Sequence, residues 1–391
     1  MKRPLRGIRV IDFSWVGAGS YATKILADLG ANVIKIESTK KIDSLRLSPP
    51  FAGGESGNNR SGYFADRNTS KRSMLLNLKA EGAADLALQL IAEADIVCNS
   101  FSPGVMERLG LGHEAVSKVN PRVVYLSMSM NGNSGPERNA RGYGAMMSAV
   151  TGFHHLSGIR GEIPVGTGTN YPDHIPNPGH GTFVMLAALR HSRQTGQGQQ
   201  IDMAQTEAML ATLGPEILDW TVNGHDRNPL GNQEEGFFWQ AVLPTRGDDN
   251  WISISIPTSD EWSSLLAVLD LDPELLPSDH IELVAAAVAN LSKYGLTHDL
   301  QSAGVSAAPV LSPPEMLQDP QLEYRKHWRK LSHPEMGETI YSGQPFKFSN
   351  SEVQPSTSAP LLGEHTDEIC EELLNLTPEL ISHLRHSGVL Q

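Results

Sequence analysis

Cysteine is nearly absent from this sequence, since Cys98 and Cys370 are the only two in 391 residues. Two cysteines exclude a disulfide framework and a cysteine-ligated zinc site, and they favour a reducing compartment. Positively charged residues are also few: the sequence has 31 Lys and Arg and 44 Asp and Glu, which gives a net charge of −13. This balance disfavours nucleic acid or an anionic membrane surface as a partner. A small anionic ligand held by a few local cations remains compatible with it.

Long hydrophobic runs are missing as well. No stretch approaches the roughly 18 apolar residues needed to span a bilayer, and Met1–Gly7 leads into a short apolar strand rather than into a signal-peptide core. Glycine and proline, in contrast, are common, with 36 and 25 residues, so we expect many chain reversals. At about 100–200 residues per domain, the length predicts two or three domains. These features favour an acidic, cytoplasmic enzyme with no membrane partner.

The N-terminal third of the chain alternates buried strands with helices. Ile8–Phe13 has the pattern of a buried strand, a helix follows from about Tyr21 to Leu29, and Asn32–Ile36 is the next strand. Helices between successive strands are typical of a parallel, doubly wound sheet, which binds ligands beyond the carboxyl ends of its strands. The further predicted strands are Met74–Leu76, Asp95–Cys98 and Val123–Ser127.

The pattern changes after about residue 222. Residues 223–232 are polar and contain two glycines and a proline, which predicts a linker, and residues 349–360 form a second, Ser/Pro-rich linker. Between the two linkers, Trp251–Ile256 alternates apolar and polar residues like a half-buried strand. We therefore predict a large α/β domain built from residues 1–222 and 335–391, with a small α+β domain at 225–330 between its two parts.

The segment Gly17–Ala22 fits the G-x-G-x-x-G/A fingerprint of dinucleotide-binding sheets. It lies between a strand and a helix, and Glu37 ends the next strand about 20 residues later. Taken alone, the motif indicates an NAD-dependent dehydrogenase with the pyrophosphate at the helix N-terminus. The glycines are equally well explained by a tight strand-to-helix turn. On the residues alone the two interpretations stand level.

Several stretches taken together resemble the family III CoA-transferases (CaiB/BaiF type), which include formyl-CoA transferase and carnitine CoA-transferase. No single stretch is specific, but the matches occur in order from residue 4 to the C-terminal part of the chain. This ordered set favours the turn interpretation of the glycine motif over NAD binding. The matching stretches are Pro4–Phe13, Asp28–Glu37, Asn68–Ser73, Asn99–Gly104, Ala187–Arg190, Thr195–Gln199, Ala308–Val310, Asp319–Gln321 and Pro360–His365.

The resemblance implies a large Rossmann-like domain that binds CoA, a small inserted domain and an interlocked, ring-like homodimer. It also implies a transfer of CoA from an acyl-CoA donor to an acceptor carboxylic acid. Such a transfer needs a carboxylate nucleophile, which forms an acyl anhydride and then an enzyme-CoA thioester. No metal or NAD takes part in this scheme, and we expect neither here.

The resemblance places the nucleophile at Asp173, just before the long helix that contains Ala187–Arg190. From local chemistry alone, an aspartate between prolines before a helix is more often a turn or capping residue. A carboxyl near its reference pKa of about 4 is already ionised at neutral pH, so it needs no base. The histidines around Asp173, which are His154, His155, His174 and His180, show no metal-binding spacing, and packing or surface roles are more common for such residues. His174 is a candidate to touch substrate because it adjoins Asp173.

The resemblance also assigns the residues that surround the thioester. Gly17 stands where the family often has Gln or His, so we expect the backbone amides of Gly17 and Ala18 to face the developing oxyanion. Ser38 stands where Arg is usual, and Lys40 and Lys41 are candidates to supply the missing charge. The predicted CoA-binding residues are Val16, Lys71, Arg72, Ser100, Phe101, Arg108 and Arg141.

Three other functions remain open. An acyl-CoA racemase of the same fold needs a second acid/base group, and the corresponding segment, Ala140–Gly144, contains neither His nor Asp. A catalytically silent partner subunit of a hetero-oligomeric transferase is disfavoured by the presence of Asp173 and kept open by Gly17. An NAD-dependent dehydrogenase is the remote third possibility.

Overall fold

A computed structural model describes residues 3–277 and 281–391. Close packing divides the chain into two units, and the larger comprises Met1–Phe153, Gly166–Asp226 and Tyr324–Gln391. The smaller comprises His154–Val165 and Arg227–Glu323. The predicted small domain, 225–330, differs from this unit mainly because it lacks His154–Val165, which a bridge between Ile159 and Leu230 joins to the later segment. Whether the units are independent folding domains stays a prediction.

The larger unit is built on a sheet of six short parallel strands, which confirms the predicted α/β class. The strands are β1 (Arg9–Asp12), β2 (Asn32–Glu37), β3 (Arg72–Leu75), β4 (Ile96–Asn99), β5 (Val124–Ser127) and β6 (Gln199–Asp202). Their order is β3-β2-β1-β4-β5-β6, so the chain reverses its direction of travel across the sheet between β1 and β4. Ligands of doubly wound sheets bind at the carboxyl ends of the strands at this reversal.

Both faces of the sheet are buried, because helices cover each of them. Ile11, Ile34 and Val97 pack into one core, while the alternate residues Val10 and Val33 pack into the other. Such burial on both faces explains why the strands are continuously apolar. The helices up to residue 226 are α1 (Val16–Asp28), α2 (Gly62–Arg67), α3 (Ala83–Ala92), α4 (Val105–Arg108), α5 (His113–Val119), α6 (Gly144–Val150), α7 (Phe153–Leu156), α8 (Tyr171–His174), α9 (Pro176–Thr195), α10 (Gln205–Leu210) and α11 (Gly214–Asn223).

The structure differs from the sequence-based elements in two places. Helix α1 begins at Val16, five positions before the predicted start at Tyr21, because Gly17 and Gly19 lie inside its first turn. A Cβ on Gly19 would overlap Ser14 Cβ, so this glycine serves a close approach rather than a turn. Strand β6 was not predicted, since its residues are polar and mostly exposed at the sheet edge.

The smaller unit contains a three-stranded antiparallel sheet of β7 (Trp239–Pro244), β8 (Trp251–Ile256) and β9 (Ser306–Pro309). Its core packs Trp239, Ile254, Leu265 and Val288 between the sheet and its helices. Those helices are α12 (Ser259–Val268), α13 (Ile281–Val288), α14 (Lys293–Ser302) and α15 (Pro313–Leu317).

The C-terminal part completes the larger unit after α16 (Pro320–Tyr324), which spans the junction. A hairpin of β10 (Trp328–His333) and β11 (Gly337–Ser342) follows, and then α17 (Thr366–Leu374) and α18 (Pro378–His386). Helix α17 packs beside β3 through Ile369 and Cys370, so the chain end belongs to the core of the N-terminal sheet. None of the described helices combines the length and the apolar character that crossing a membrane requires.

Candidate functional site

A cavity of about 890 Å³ lies at the switch point of the large sheet. Phe13 follows β1 and Ser100 follows β4, and both line the cavity, as the strand order predicts. The loop after β5 adds Ser129 and Met130. Among the residues predicted for the site, those that line this cavity are Val16, Gly17, Ala18, Ser100, Phe101, Arg108, Arg141 and Asp173.

Asp173 lies in the single-turn helix α8 and is only 4 % exposed. Its Oδ2 accepts a hydrogen bond of 3.0 Å from the backbone N–H of Gly144, the first residue of α6. Burial raises the pKa of Asp173 to about 6, although the Gly144 N–H and the charge of Arg67 act in the opposite direction. One oxygen of this buried carboxyl therefore has a backbone donor in a fixed position.

The first turn of α1 lies against this carboxyl. A Cβ on Gly17 would stand 2.9 Å from Asp173 Cβ, so only glycine permits this approach without a shift. Gly17 and Ala18 line the cavity as the second and third residues of α1, and the first four N–H groups of a helix have no partner inside the helix. Val16 at the helix start has a φ of 61°, a left-handed conformation that is strained for a β-branched residue.

A buried ion pair holds this strained start in place. Asp43 Oδ1 accepts hydrogen bonds from the N–H groups of Val16 at 3.1 Å and Leu45 at 3.0 Å. Asp43 Oδ2 pairs with Lys35 Nζ at 3.1 Å, and the same Nζ donates to the Ser14 carbonyl at 2.7 Å. Despite the opposing effect of burial, Asp43 and two further carboxylates raise the pKa of Lys35, so it remains charged. The pair thus fixes the backbone on both sides of Trp15.

Two other predicted residues tie the β1 and β4 loops together. Ser100 Oγ accepts from the Trp15 N–H at 3.0 Å and donates to the Trp15 carbonyl at 3.1 Å. The ring of Phe101 meets Trp15 edge-on, with centroids 5.7 Å apart. These contacts give Ser100 and Phe101 a role in shaping the cavity wall.

Lys71 and Arg72, which the sequence indicated as phosphate ligands, lie elsewhere, and we correct both assignments. Lys71 is buried, and its Nζ pairs with Asp12 at 3.0 Å and donates to Thr23 Oγ1 at 2.8 Å. Burial lowers the pKa of Lys71 to about 8, while Asp12 keeps it charged at neutral pH. Arg72 pairs instead with two carboxylates of α17, Glu368 and Glu372, at 2.9 and 2.8 Å.

We expect Lys71→Met to destabilise the fold rather than to weaken CoA binding. Removing one partner of a buried pair leaves Asp12 without its nearest cation, which costs about 3–5 kcal/mol of unfolding free energy. Arg72→Ala is the matched control, because its pairs are at the surface and contribute about 1 kcal/mol or less. Urea denaturation measures both; a Lys71→Met protein of unchanged stability and raised KM for acyl-CoA would restore the phosphate role.

Some of the basic side chains that line the cavity are ones that the sequence named only as candidates or did not name. Lys40 and Lys41 line it beside Ser38, and Lys41 Nζ lies 5.1 Å from the centre of the Trp15 ring. Lys79, which follows β3, also lines the cavity and was missed, because nothing in its local sequence distinguishes it from a solvated lysine. Together with Arg108 they give an acidic protein a locally basic cavity.

The acidic residue of the dinucleotide motif is already engaged. Glu37 accepts two hydrogen bonds of 2.8 Å from Arg46 and a third from Ser73 Oγ at 2.6 Å. Its carboxylate oxygens are therefore occupied by protein donors, and close packing explains the glycines at positions 17 and 19. Within the described ranges, no three or more His, Cys, Asp or Glu residues are grouped so as to hold a metal ion.

The doubly wound sheet and the cavity at its switch point place this chain among the ligand-binding α/β proteins. Comparison with known proteins then identifies its family. The model of CoA-transferase family III matches residues 5–366. The chain therefore belongs to CoA-transferase family III, an enzyme family, as the resemblance predicted.

Relatives and solved structures agree with this assignment. The succinyl-CoA–L-malate CoA-transferase beta subunit of Chloroflexus aurantiacus is 29% identical, over 99% of this chain and 98% of that protein. The formyl-CoA:oxalate CoA-transferase of Streptomyces coelicolor is also 29% identical, over 99% of each. Against a probable CoA-transferase of Mycobacterium tuberculosis, 29% identical, the chain spans half of the relative's length. A CaiB/BaiF family protein from Brucella suis, 26% identical, superposes with a TM-score of 0.86 over 95% of this chain and 100% of that one.

Proposed function

We propose that this protein moves CoA from an acyl-CoA thioester to an acceptor carboxylic acid, with Asp173 as the covalent nucleophile. The observation that carries the proposal is the position of its carboxyl. It is buried in the wall of a cavity of about 890 Å³ that the first turn of α1 and several cations also line. The family membership and the names of the relatives support the same reaction class.

The reaction is an exchange of acyl bonds in which no electron or proton is gained or lost. An Asp173 oxygen attacks the thioester carbon, the C–S bond breaks, and CoA leaves as a thiolate, which gives a mixed anhydride on Asp173. The thiolate then attacks the Asp173 carbonyl carbon and releases the first acid as a carboxylate. The acceptor carboxylate attacks the resulting aspartyl-CoA thioester and reverses the sequence.

Each of these attacks places a negative charge on a carbonyl oxygen. The N–H groups of Gly17 and Ala18 at the start of α1 are the donors proposed for that charge. Helix N-termini favour anions because their amides are unpaired and their dipole is positive there. The Lys35–Asp43 pair holds these donors in place before substrate binds, and such preorganisation makes oxyanion donors effective.

The basic part of the cavity is proposed to hold the phosphates of CoA. Lys40, Lys41, Lys79 and Arg108 all line it. A lysine acts as a point charge and an arginine offers two parallel donors to a phosphate. In this scheme Lys40 and Lys41 supply the charge that Ser38 lacks. The interlocked homodimer, or a complex with a related subunit, stays a prediction.

We expect transfer activity to rise with pH through about 6. Only the ionised Asp173 attacks a thioester, and burial raises the pKa of this carboxyl to about 6. Exchange of labelled CoA between an acyl-CoA and a free acid, measured from pH 4.5 to 8, tests this. Far-UV circular dichroism at each pH checks that the protein remains folded. A kcat/KM that does not change between pH 5 and 7 would contradict the assignment.

The covalent intermediate provides the direct test of the proposed function. Wild-type protein is mixed with a panel of acyl-CoA thioesters, digested and analysed by mass spectrometry. We expect an adduct with the mass of CoA or of the acyl group on the peptide that contains Asp173. If no donor gives either an adduct or CoA exchange, the transferase proposal is wrong.

A further inference from the structure

His174, which follows Asp173 in helix α8, has hydrogen-bond partners on both ring nitrogens. Its Nε2 lies 2.7 Å from Tyr63 Oη, and its Nδ1 lies 3.0 Å from Thr169 Oγ1. The two rings of His174 and Tyr63 meet edge-to-face, with centroids 5.6 Å apart and an angle of 88°. Three side chains thus form one hydrogen-bonded chain, which we call the Thr169–His174–Tyr63 chain.

The Tyr63 end of this chain lies near the Asp173 carboxyl. A Cβ on Gly17 would lie 3.4 Å from Tyr63 Oη and 3.5 Å from Asp173 Cγ, so both groups flank the same point. Gly17 has no side chain to place there. The Tyr63 hydroxyl is therefore a side-chain polar group beside the first turn of α1, in the direction that a side chain at position 17 would take.

The direction of the hydrogen bonds follows from charge. Burial lowers the pKa of His174 to about 4, so the ring is neutral at pH 7 and carries a single N–H. Burial and the nearby Asp173 charge raise the pKa of Tyr63, so its hydroxyl stays protonated. Tyr63 has a further side-chain hydrogen bond, with Asn170, which lowers its pKa and is therefore donated by the Asn170 amide. If Tyr63 donated to His174, no proton would be left to turn toward the Asp173 carboxylate. If His174 Nε2–H donates to Tyr63, the tyrosine proton is left to point toward Asp173.

We infer that His174 is a positioning residue, which donates from Nε2–H to Tyr63 Oη and so turns the Tyr63 hydroxyl proton toward the acyl oxygen on Asp173. This inference rests on the proposed function. In this tautomer Nδ1 accepts from the Thr169 hydroxyl, so every donor in the chain points toward Asp173. Tyr63 then adds a side-chain donor to the backbone donors Gly17 and Ala18.

Kinetics of single and double variants test the coupling. Removal of one oxyanion donor lowers kcat by about 100-fold or more, and we expect this of Tyr63→Phe. His174→Leu should lower kcat about tenfold with little change in KM, since it acts only through Tyr63. In the Tyr63→Phe background, His174→Leu should cost nothing further, because two groups that act as a unit are not additive. Additive losses, or an unchanged kcat in His174→Leu, would overturn the inference.

Two matched variants separate positioning from folding. His174→Gln keeps an amide N–H that can donate to Tyr63, so we expect it to recover most of the activity that His174→Leu loses. His180→Leu changes an exposed histidine of α9 whose Nδ1 lies 2.8 Å from the Pro176 carbonyl, and it should leave kcat unchanged. If His174→Gln is as inactive as His174→Leu while both melt like the wild type, the proposed donor role is wrong.

The tautomer can be measured without any substrate. Nitrogen-15 NMR of histidine-labelled protein at pH 7, with His174→Gln to assign the signal, should show a neutral ring protonated at Nε2. A ring protonated at Nδ1 would overturn the inference even if CoA transfer is active. The Nε2 tautomer in a protein that forms no adduct with any acyl-CoA would instead overturn the proposed function, and with it the role of the Tyr63 proton, while the directions of the hydrogen bonds would stand.

Discussion

Replacing Asp173 by asparagine will abolish CoA transfer and, above pH 6, stabilise the fold. An asparagine oxygen is too weak a nucleophile for the thioester, yet it accepts the same hydrogen bond from Gly144. The ordinary pKa of 3.8 is raised to about 6 in the folded protein. Between these values the unfolded chain releases its proton first, so stability falls as the pH rises. Above pH 6 the full loss of unfolding free energy is reached, about 3 kcal/mol for a pKa difference of about two.

Urea denaturation at pH 8 and at pH 4 measures this effect. We expect Asp173→Asn to gain up to about 3 kcal/mol at pH 8 and only a small part of this at pH 4, where the carboxyl is protonated in the folded protein and partly ionised in the unfolded chain. Asp248→Asn is the control, because Asp248 lies in an exposed loop and its charge is already solvated. An Asp173→Asn protein with wild-type stability at pH 8 would show that burial of this charge costs nothing. Residual exchange activity would remove Asp173 from the mechanism.

The sequence predicted the parallel sheet that carries the site, because strands and helices depend on the local pattern of apolar residues. Continuous apolar strands separated by helices indicated the parallel sheet, and the strand order places the cavity where such sheets bind ligands. The resemblance supplied Asp173, whose surroundings by themselves suggested only a turn. The polar strand β6 escaped prediction because an exposed edge strand lacks the apolar pattern on which strand prediction depends.

The errors concern residues whose partners are distant in the sequence. Lys71 and Arg72 look like a solvated basic pair, but Lys71 pairs with Asp12, 59 positions earlier, and Arg72 pairs with α17 near the chain end. No local pattern reveals that a lysine is already neutralised. For the same reason Lys35, at the centre of a strand, gave no sign that it supports Asp43 and the start of α1.

Gly17→Ala should lower kcat about 100-fold while the protein stays folded. The added Cβ would lie 2.9 Å from Asp173 Cβ and 3.4 Å from Tyr63 Oη, so the start of α1 or the nucleophile has to shift. Helix α1 packs against the buried sheet face through Ala22 and Leu26, which leaves α8 as the element that yields. A displacement on the order of 1 Å at the reacting carboxyl is enough for a loss of this size. Steady-state exchange kinetics and thermal melting measure the two effects.

Gly179→Ala makes the same chemical change in the first turn of α9, where a Cβ meets nothing within 4 Å. Alanine is the better helix former by about 1 kcal/mol, so this variant should be as stable as the wild type or more stable, with unchanged kcat. The difference between the two alanine variants therefore isolates the contact between α1 and Asp173. If Gly17→Ala were as active as Gly179→Ala, that contact would have no part in placing the nucleophile, and the amides at the start of α1 would lose their proposed role with it.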